Sequence, residues 1–395
     1  MSDSTGASRG FTLLDRAPRI IVVALVAVRI LALGAVIWDN THDAVVDVDI
    51  LRATRIATSP ATPYRDFAVE YMPLETLTIH AIGTDGAEAT AIRLGVLAFA
   101  GDLAVAGALA WGWGRRPAVA YLLLGVPLVS LLYERFDFVV VAMAAWGLAL
   151  ERRGKETASG LTLATAILAK LWPVVLLPIL LFRRRWRAIV AVSVVGLIGG
   201  AVWYWVGGPK GPLQVLSFRN AVGWSVESTV GNLVWIIGRG QIGPDAGAMR
   251  VGVAPMWAKG LLLVGMLITQ VVVWRRAASD GRDPAGGTAL VAVTTLITFS
   301  PLFSIQYATW MLPWAAIAFQ GDEAERRAAA TAAVVVVLCA LLTLSYLNGS
   351  PLTTLSEKVM LLVRNAACVL MLAQWLLQPR RLGAPRPALG RTPVP

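Results

Sequence analysis

The sequence predicts an all-α polytopic integral membrane protein, with about 11–12 transmembrane or half-crossing helices and two large outer-face loops. Three observations lead there. Of the 395 residues, 57% are hydrophobic and only 15% charged, whereas a soluble domain is nearer half apolar and a quarter charged. Apolar runs of about 20 residues, the length that crosses a bilayer, recur along the whole chain. The formal charge of +11 gathers in short loops, as the positive-inside rule expects of cytoplasmic ones, so nucleic acid is not its reason. The alternating strands of an outer-membrane barrel are absent.

Residues 1–18 are polar and read as a disordered cytoplasmic tail, with Arg9, Arg16 and Arg19 ahead of a first helix expected from about Arg19 to Trp38. That run is too long for a signal-peptide core and lacks a small-x-small cleavage site, so it is retained. A polar loop to about Thr90 follows. Helices are then expected over about Ala91 to Trp113, on to about Leu132, and from a tight link at Tyr133–Asp137 to near Leu150. The stretch Thr157–Phe182 has basic clusters at both ends and is interrupted by Pro173 and Pro178. A single crossing would place one cluster, and every later basic loop, outside. The stretch therefore reads as two half-crossing helices that enter and return, their irregular backbone shielded by protein. A helix to about Val206, a second polar loop over Gly207–Met256, and a helix over about Trp257 to Trp274 come next. One helix then ends at Ser300-Pro301 and another before Asp322, and two more cover about Ala328 to Leu347 and Glu357 to Gln378. Residues 379–395 form a Pro/Arg-rich cytoplasmic tail. This scheme gives one transmembrane domain over 19–378 in the cytoplasmic (inner) membrane, outer loops at about 39–90 and 207–256, and both termini on the cytoplasmic side.

Cys339 and Cys368 lie in apolar runs and read as free thiols. His42 and His80 have no partners at ligand spacing, so no metal and no cofactor is expected. Arg29 and Lys170 fall within apolar runs. Arg29 is about 13 Å from either end of its helix at 1.5 Å per residue, too deep to snorkel easily, and needs an internal acid or carbonyl. Lys170 sits where the half helices turn.

The polar stretch after the first helix concentrates the chemistry. It carries Asp47, Asp49, Asp66 and Glu70 with Arg52, Arg55 and Arg65 and two tyrosines, Tyr64 and Tyr71. Its segment Pro63-Tyr64-Arg65-Asp66-Phe67, followed by Glu70-Tyr71-Met72-Pro73-Leu74, resembles the "PYRDF…EYPPL" signature of GT-C fold, polyprenol-phosphate-sugar-dependent glycosyltransferases. The resemblance is to the GT87-type branch that holds actinobacterial mannosyltransferases. Asp47-Val48-Asp49 stands at the family's acidic motif. Lys170-Leu171-Trp172-Pro173 is similar to its "K-aromatic-P" element, and Phe303-Ser304-Ile305-Gln306-Tyr307, with Trp310 and Pro313, to "FSPQY..W..P". Met72 and Ile305 replace prolines of these motifs.

The resemblance implies a GT-C-like bundle that moves a hexose, with mannose expected, from a polyprenyl-phosphate-linked sugar donor to a glycolipid or glycan acceptor at the bilayer's outer face. A sugar hydroxyl is a poor nucleophile, so a carboxylate must take its proton; the family's base maps to Asp47, with Asp49 as the alternative. Direct displacement with one base inverts the anomeric centre. Donor and acceptor contacts are expected from Arg65, Glu70, Tyr71, Arg135, Asp137, Lys170, Arg219, Glu227, Gln306 and Tyr307, the cations facing the leaving phosphate. Asp66 reads as structural, pairing with Arg65. A transporter or flippase would also explain broken helices and buried charge, and an inactive GT-C-shaped assembly partner is a third reading.

Overall fold

The computed structural model describes residues 19–42, 47–129, 133–216, 221–238, 241–245, 248–279, 282–347 and 354–378. The two tails and Arg219 lie outside them. Helix α1 (Arg19–His42) leads through α2 (Val48–Thr58) and α3 (Pro73–Ile82) to α4 (Ala87–Trp113). Then come α5 (Arg115–Gly125), a 3-10 turn at Val126–Leu128, and α6 (Asp137–Arg152). The broken stretch is α7 (Glu156–Ala169), a 3-10 segment at Trp172–Leu176 and α8 (Pro178–Phe182). After α9 (Trp186–Gly207) the second polar loop holds α10 (Lys210–Leu216), β1 (Trp224–Ser225), α11 (Thr229–Ile236), β2 (Ile242–Asp245) and β3 (Ala248–Val251). Finally α12 (Met256–Ser279), α13 (Gly287–Phe299), a 3-10 segment at Ile305–Met311, α14 (Leu312–Ala318), α15 (Glu323–Leu347) and α16 (Leu355–Leu377) close the chain.

Among the described residues six helices are long and apolar enough to cross a membrane: α1, α4, α9, α12, α15 and α16. The fold is that of an all-α polytopic membrane protein. Helices α1, α9 and α12 stand at the periphery and turn large apolar side chains outward, among them Leu31, Leu197, Trp205, Leu261 and Ile268. Such a surface suits lipid, which is as apolar as leucine. Helix α13 is the opposite case. Nearly every side chain from Gly287 to Thr298 is buried, so protein surrounds it and its 13 residues need not span a bilayer alone.

Small residues let these helices approach closely. A Cβ on Gly160 of α7 would stand 2.2 Å from the carbonyl oxygen of Ala188 in α9, and one on Gly101 of α4 would stand 2.9 Å from the backbone of Phe138 in α6.

Prolines set the interruptions. Pro127, Pro173 and Pro178 fall in the first two positions of short elements, where the missing N–H is harmless, and each ends the regular ladder that precedes it. The stretch 157–182 folds back on itself. Lys170 reaches the face of the polar loops, whereas Arg183 and Arg185 bond Glu151, and Arg185 Nη1 reaches Glu156 Oε1 at 3.4 Å, where the stretch began. Two expectations need correction. The helix expected to run to about Leu132 is α5, which ends at Gly125 because Pro127 follows. The helix expected before Asp322 opens as a 3-10 segment and becomes α-helical only from Leu312, where Pro313 interrupts the ladder that precedes it. The loop expected over 39–90 is itself largely helical, with Ile50, Ala53, Ile56 and Ala57 buried on one side of α2. The small antiparallel sheet, ordered β1-β3-β2, is an addition to the expected all-helical chain. Its strands are two to four residues long, too short to leave a period-two signal.

Arg29 finds the internal acid its depth demands. Its Nε donates to Asp102 Oδ2 at 2.8 Å, and both side chains are essentially inaccessible to solvent. Asp102 also accepts from the hydroxyls of Tyr121 and Tyr133. One carboxylate thereby joins α1, α4, α5 and the link before α6. Breaking a buried pair from one side leaves an uncompensated charge, so Asp102→Ala is expected to lower stability by about 3–5 kcal/mol. Combining Arg29→Met with Asp102→Leu is expected to recover part of that loss. Thermal unfolding of the detergent-solubilised protein measures both, and a single variant as stable as wild type would show that the pair does not hold the helices.

Candidate active site

The first polar loop is built to hold carboxylates still. Asp47 caps α2, its Oδ1 accepting from the Asp49 amide at 2.7 Å, a role that short polar side chains favour at a helix start. Its own amide donates to Asn40 Oδ1 at 3.0 Å. Further on, the turn at 62–67 is closed by Tyr64 N to Phe67 O and by Asp66 N to Thr62 O, both at 3.0 Å. Tyr64 takes a left-handed backbone, φ 68°, uncommon for an aromatic residue and held only by surrounding contacts. Those contacts are present. Its hydroxyl donates to Tyr71 O at 2.7 Å, its ring meets Trp203 edge-on, and its carbonyl accepts from Gln214 Nε2 at 2.6 Å. Gln214 lies on α10 and its Oε1 also accepts from Val69 N at 3.0 Å, so the second polar loop is tied to the first.

Arg135, in the tight link before α6, joins the acids. Its Nη1 lies 2.7 Å from Asp47 Oδ1 and 2.6 Å from Asp49 Oδ2, and Nη2 lies 3.3 Å from Asp47 Oδ2. Arg52 continues the chain, with Nη1 at 3.1 Å from Asp49 Oδ1 and 2.9 Å from Glu70 Oε1, and the Tyr71 side chain lies beside it. Burial works against the Arg135 charge, but Asp49, Asp47 and Glu134 outweigh it and hold the guanidinium charged.

A second set sits beside the first. Lys170, in extended backbone at the end of α7, places Nζ 2.7 Å from Asp137 Oδ2. Asp137 opens α6 and accepts from Trp310 Nε1 at 2.6 Å through Oδ1. Trp310 is stacked between Tyr307 at 4.0 Å and Trp172 at 5.3 Å, centroid to centroid. Glu75, in the first turn of α3, lies with Oε1 3.8 Å from Lys170 Nζ, its side chain only 4% exposed and its Oε2 buried without a hydrogen-bond partner. Burial pushes this carboxyl up, opposed by Lys170 and assisted by Asp137 and Asp49, to about 7.

Of the residues expected at the site, Asp47, Asp49, Glu70, Tyr71, Arg135, Asp137, Lys170 and Tyr307 are brought into these two adjoining sets. Arg65 is exposed and turns away, donating from Nη2 to Trp205 O at 3.2 Å. Asp66 does not take Arg65 as its partner: its Oδ2 accepts the Thr62 amide at 2.7 Å. Gln306 accepts from Ser304 at 2.6 Å. Glu227 is buried beside α16, where Arg364 and Asn365 bond its carbonyl oxygen. Arg219 lies outside the described residues. Sequence reasoning passed over Glu75 and gave Arg52 no site role. The sequence reads 73–82 as polar loop, where a single acid is expected to be solvated, and only the structure places Glu75 buried in the first turn of α3. Among the described residues no group of three His, Cys, Asp or Glu side chains is arranged to hold a metal ion.

The fold and these two sets define a polytopic membrane protein that presents a charged, carboxylate-bearing site where its polar loops meet. The sequence profile of glycosyltransferase family 87 matches residues 67–304. That is more than half of the chain, and the chain belongs to this family; it is a multi-pass membrane glycosyltransferase. The matched span contains Glu70, Tyr71, Glu75, Arg135, Asp137 and Lys170 and begins after Asp47 and Asp49. No curated protein matches the chain. Family membership decides between the enzyme and transporter readings in favour of an enzyme.

Glu75 makes a pH prediction. A carboxyl that binds its proton more tightly folded than unfolded takes up a proton on folding between the two pKa values, so stability is greatest below the unfolded value. It is then lost as pH rises from 4.5 to about 7. Glu75→Gln keeps the neutral shape at every pH and is expected to flatten that fall. Thermal unfolding at about pH 5 and about pH 8 measures it; an equal drop in wild type and variant would show that Glu75 is charged throughout.

Proposed function

We propose that the protein transfers a hexose, with mannose as the sugar, from a polyprenyl-phosphate-linked donor to a lipid-linked or glycan acceptor, at the outer face of the cytoplasmic membrane. Both termini then lie inside, and residues 19–378 act as one catalytic domain. The observation that carries this reading is the way Asp47 is held. Its Oδ1 is committed to Arg135 and to the α2 cap, whereas Oδ2 has only the longer 3.3 Å contact to Arg135. Asp49 has a guanidinium within 3.1 Å of each oxygen. Asp47 Oδ2 is thus the better placed acceptor for a substrate proton, and its side chain keeps 21% exposure.

In the reaction the acceptor hydroxyl gives its proton to Asp47 as its oxygen attacks the anomeric carbon. The bond from that carbon to the phosphate oxygen breaks on the opposite side, and the configuration inverts. Negative charge gathers on the departing polyprenyl phosphate and calls for fixed cations. Lys170 and Arg135 are the described candidates, Asp137 orients Lys170, and Arg219 is assigned the same task from the second loop. Glu70 and Tyr71 are assigned to the rim toward the sugar hydroxyls, and Tyr307 to the same substrate. Gln306 and Glu227 are assigned to the acceptor side, and Arg65, engaged with Trp205, is given no part. Mannose rests on the resemblance of the loop motif and on no geometric feature.

Purified protein incubated with radiolabelled polyprenyl-phosphate mannose and a membrane lipid extract tests the reading. Wild type is expected to transfer label, and Asp47→Asn to lose about 10²–10⁴-fold in rate, the usual worth of a general base. Asp49→Asn is expected to retain more activity. No transfer by wild type would sink the mannose assignment, and an Asp49→Asn variant more impaired than Asp47→Asn would reverse the choice of base.

A further inference from the structure

Lys170 stands between two acids and is shared unequally. Its Nζ lies 2.7 Å from Asp137 Oδ2 and 3.8 Å from Glu75 Oε1. The first is a charge-assisted hydrogen bond; the second is too long to be one. The lysine side chain keeps 20% exposure, whereas those of Asp137 and Glu75 keep 2% and 4%. An anion entering the site therefore reaches the ammonium while both acids stay covered.

The charge that anion meets depends on the proton of Glu75. With both acids ionised, one ammonium faces two carboxylates, and the set as a whole repels a phosphate. With Glu75 neutral, Lys170 and Asp137 balance. The geometry favours the neutral carboxyl. Glu75 is buried, its Oε2 has no hydrogen-bond partner among the described residues, and the ammonium within reach is bonded to Asp137. A buried carboxyl so placed lowers its cost by keeping a proton.

The surroundings act in the same direction. Asp137 of α6 and Asp49 of α2 press the carboxyl toward its neutral form, and Lys170 opposes them. Arg52 of α2 is engaged with Asp49 and Glu70. Tyr64, Tyr71 and Tyr307 also lie around Glu75 and are neutral phenols near pH 7. Helix α4, which packs on α3 as well, gives its Arg93 to Asp85 and to the Ile82 carbonyl.

We infer that Glu75 is a positioning residue for the proposed transfer: neutral, it leaves the Lys170 charge to the donor phosphate, and ionised it competes for that charge and weakens donor binding. The inference rests on the reading above, in which Lys170 faces that phosphate. Glu75 acts through Lys170 and touches neither sugar nor phosphate.

Equilibrium binding of radiolabelled polyprenyl-phosphate mannose to the full chain in detergent, without acceptor, tests this. The donor phosphodiester keeps one negative charge on both sides of neutrality, so a change in affinity reports on the protein. The Glu75 carboxyl titrates at about 7. Wild type is expected to bind about tenfold more weakly at about pH 8 than at about pH 6, the ratio for one proton lost midway between them. Glu75→Gln is expected to hold the two affinities within about twofold of each other, and Glu75→Asp to retain a fall. The two histidines, His42 and His80, are exposed and titrate in the same range; a His42→Gln/His80→Gln variant is expected to keep the whole fall. If Glu75→Gln fails to fold, infrared difference spectra of wild type and Glu75→Asp between the same pH values read the proton directly, as a protonated-carboxyl band that is lost on raising the pH and displaced in the variant. Equal binding by wild type at both pH values, an undiminished fall in Glu75→Gln, or the absence of that band would overturn the role of Glu75 and leave the donor reading standing. Absence of donor binding at either pH would sink the donor reading and this inference with it.

Discussion

The site depends on one ion pair, Lys170 with Asp137. A lysine in the middle of an apolar stretch is costly in hydrocarbon and must meet its opposite. It does so at 2.7 Å, from extended backbone between α7 and the 3-10 segment that returns. The broken helix therefore brings Lys170 to the first turn of α6. Asp137 in turn holds the indole of Trp310, and the stack of Trp172, Trp310 and Tyr307 closes behind it. Three segments far apart in sequence are fixed by one carboxylate, and a shift of any of them would leave a buried charge without compensation.

From that pair outward the site is organised by charge alternation. Asp47, Arg135, Asp49, Arg52 and Glu70 follow one another with contacts of 3.1 Å or less. Each acid in that series has a guanidinium in contact. Glu75 breaks the pattern, because Lys170 is closer to Asp137 than to it. A single ammonium between two buried carboxylates serves the nearer one, and the other lowers its cost by keeping a proton. The same sharing explains why Glu75, not Asp137, carries the orphaned oxygen.

Much of this was legible in the sequence, for identifiable reasons. The crossing helices announce themselves by length and hydropathy, and the in-and-return stretch by two prolines between two basic clusters. Arg29 announced that it needed a partner, because depth alone makes a lone charge untenable. It did not announce which, since Asp102 looks like any single acid within a 27-residue helix and pairing across 73 positions leaves no local trace. Arg65 and Asp66 suggested each other by adjacency, yet neighbours along an irregular turn point apart, and each found a backbone group instead. The 3-10 character of 305–311 and the short sheet were invisible for want of a period long enough to read.

The capping role of Asp47 then bears directly on how it can work. A helix cap and a proton acceptor are competing uses of one carboxylate, and the structure separates them by oxygen. Oδ1 is spent on the Asp49 amide and Arg135, which fixes the plane of the carboxylate and the start of α2 together. Oδ2 is left with the longer contact. Asp49, one turn position further on, has no backbone task and is drawn between two arginines instead. Two aspartates separated by a single residue thus acquire different surroundings from local geometry alone. The one that begins the helix is held rigidly and keeps an oxygen available, which is the combination a positioned base requires.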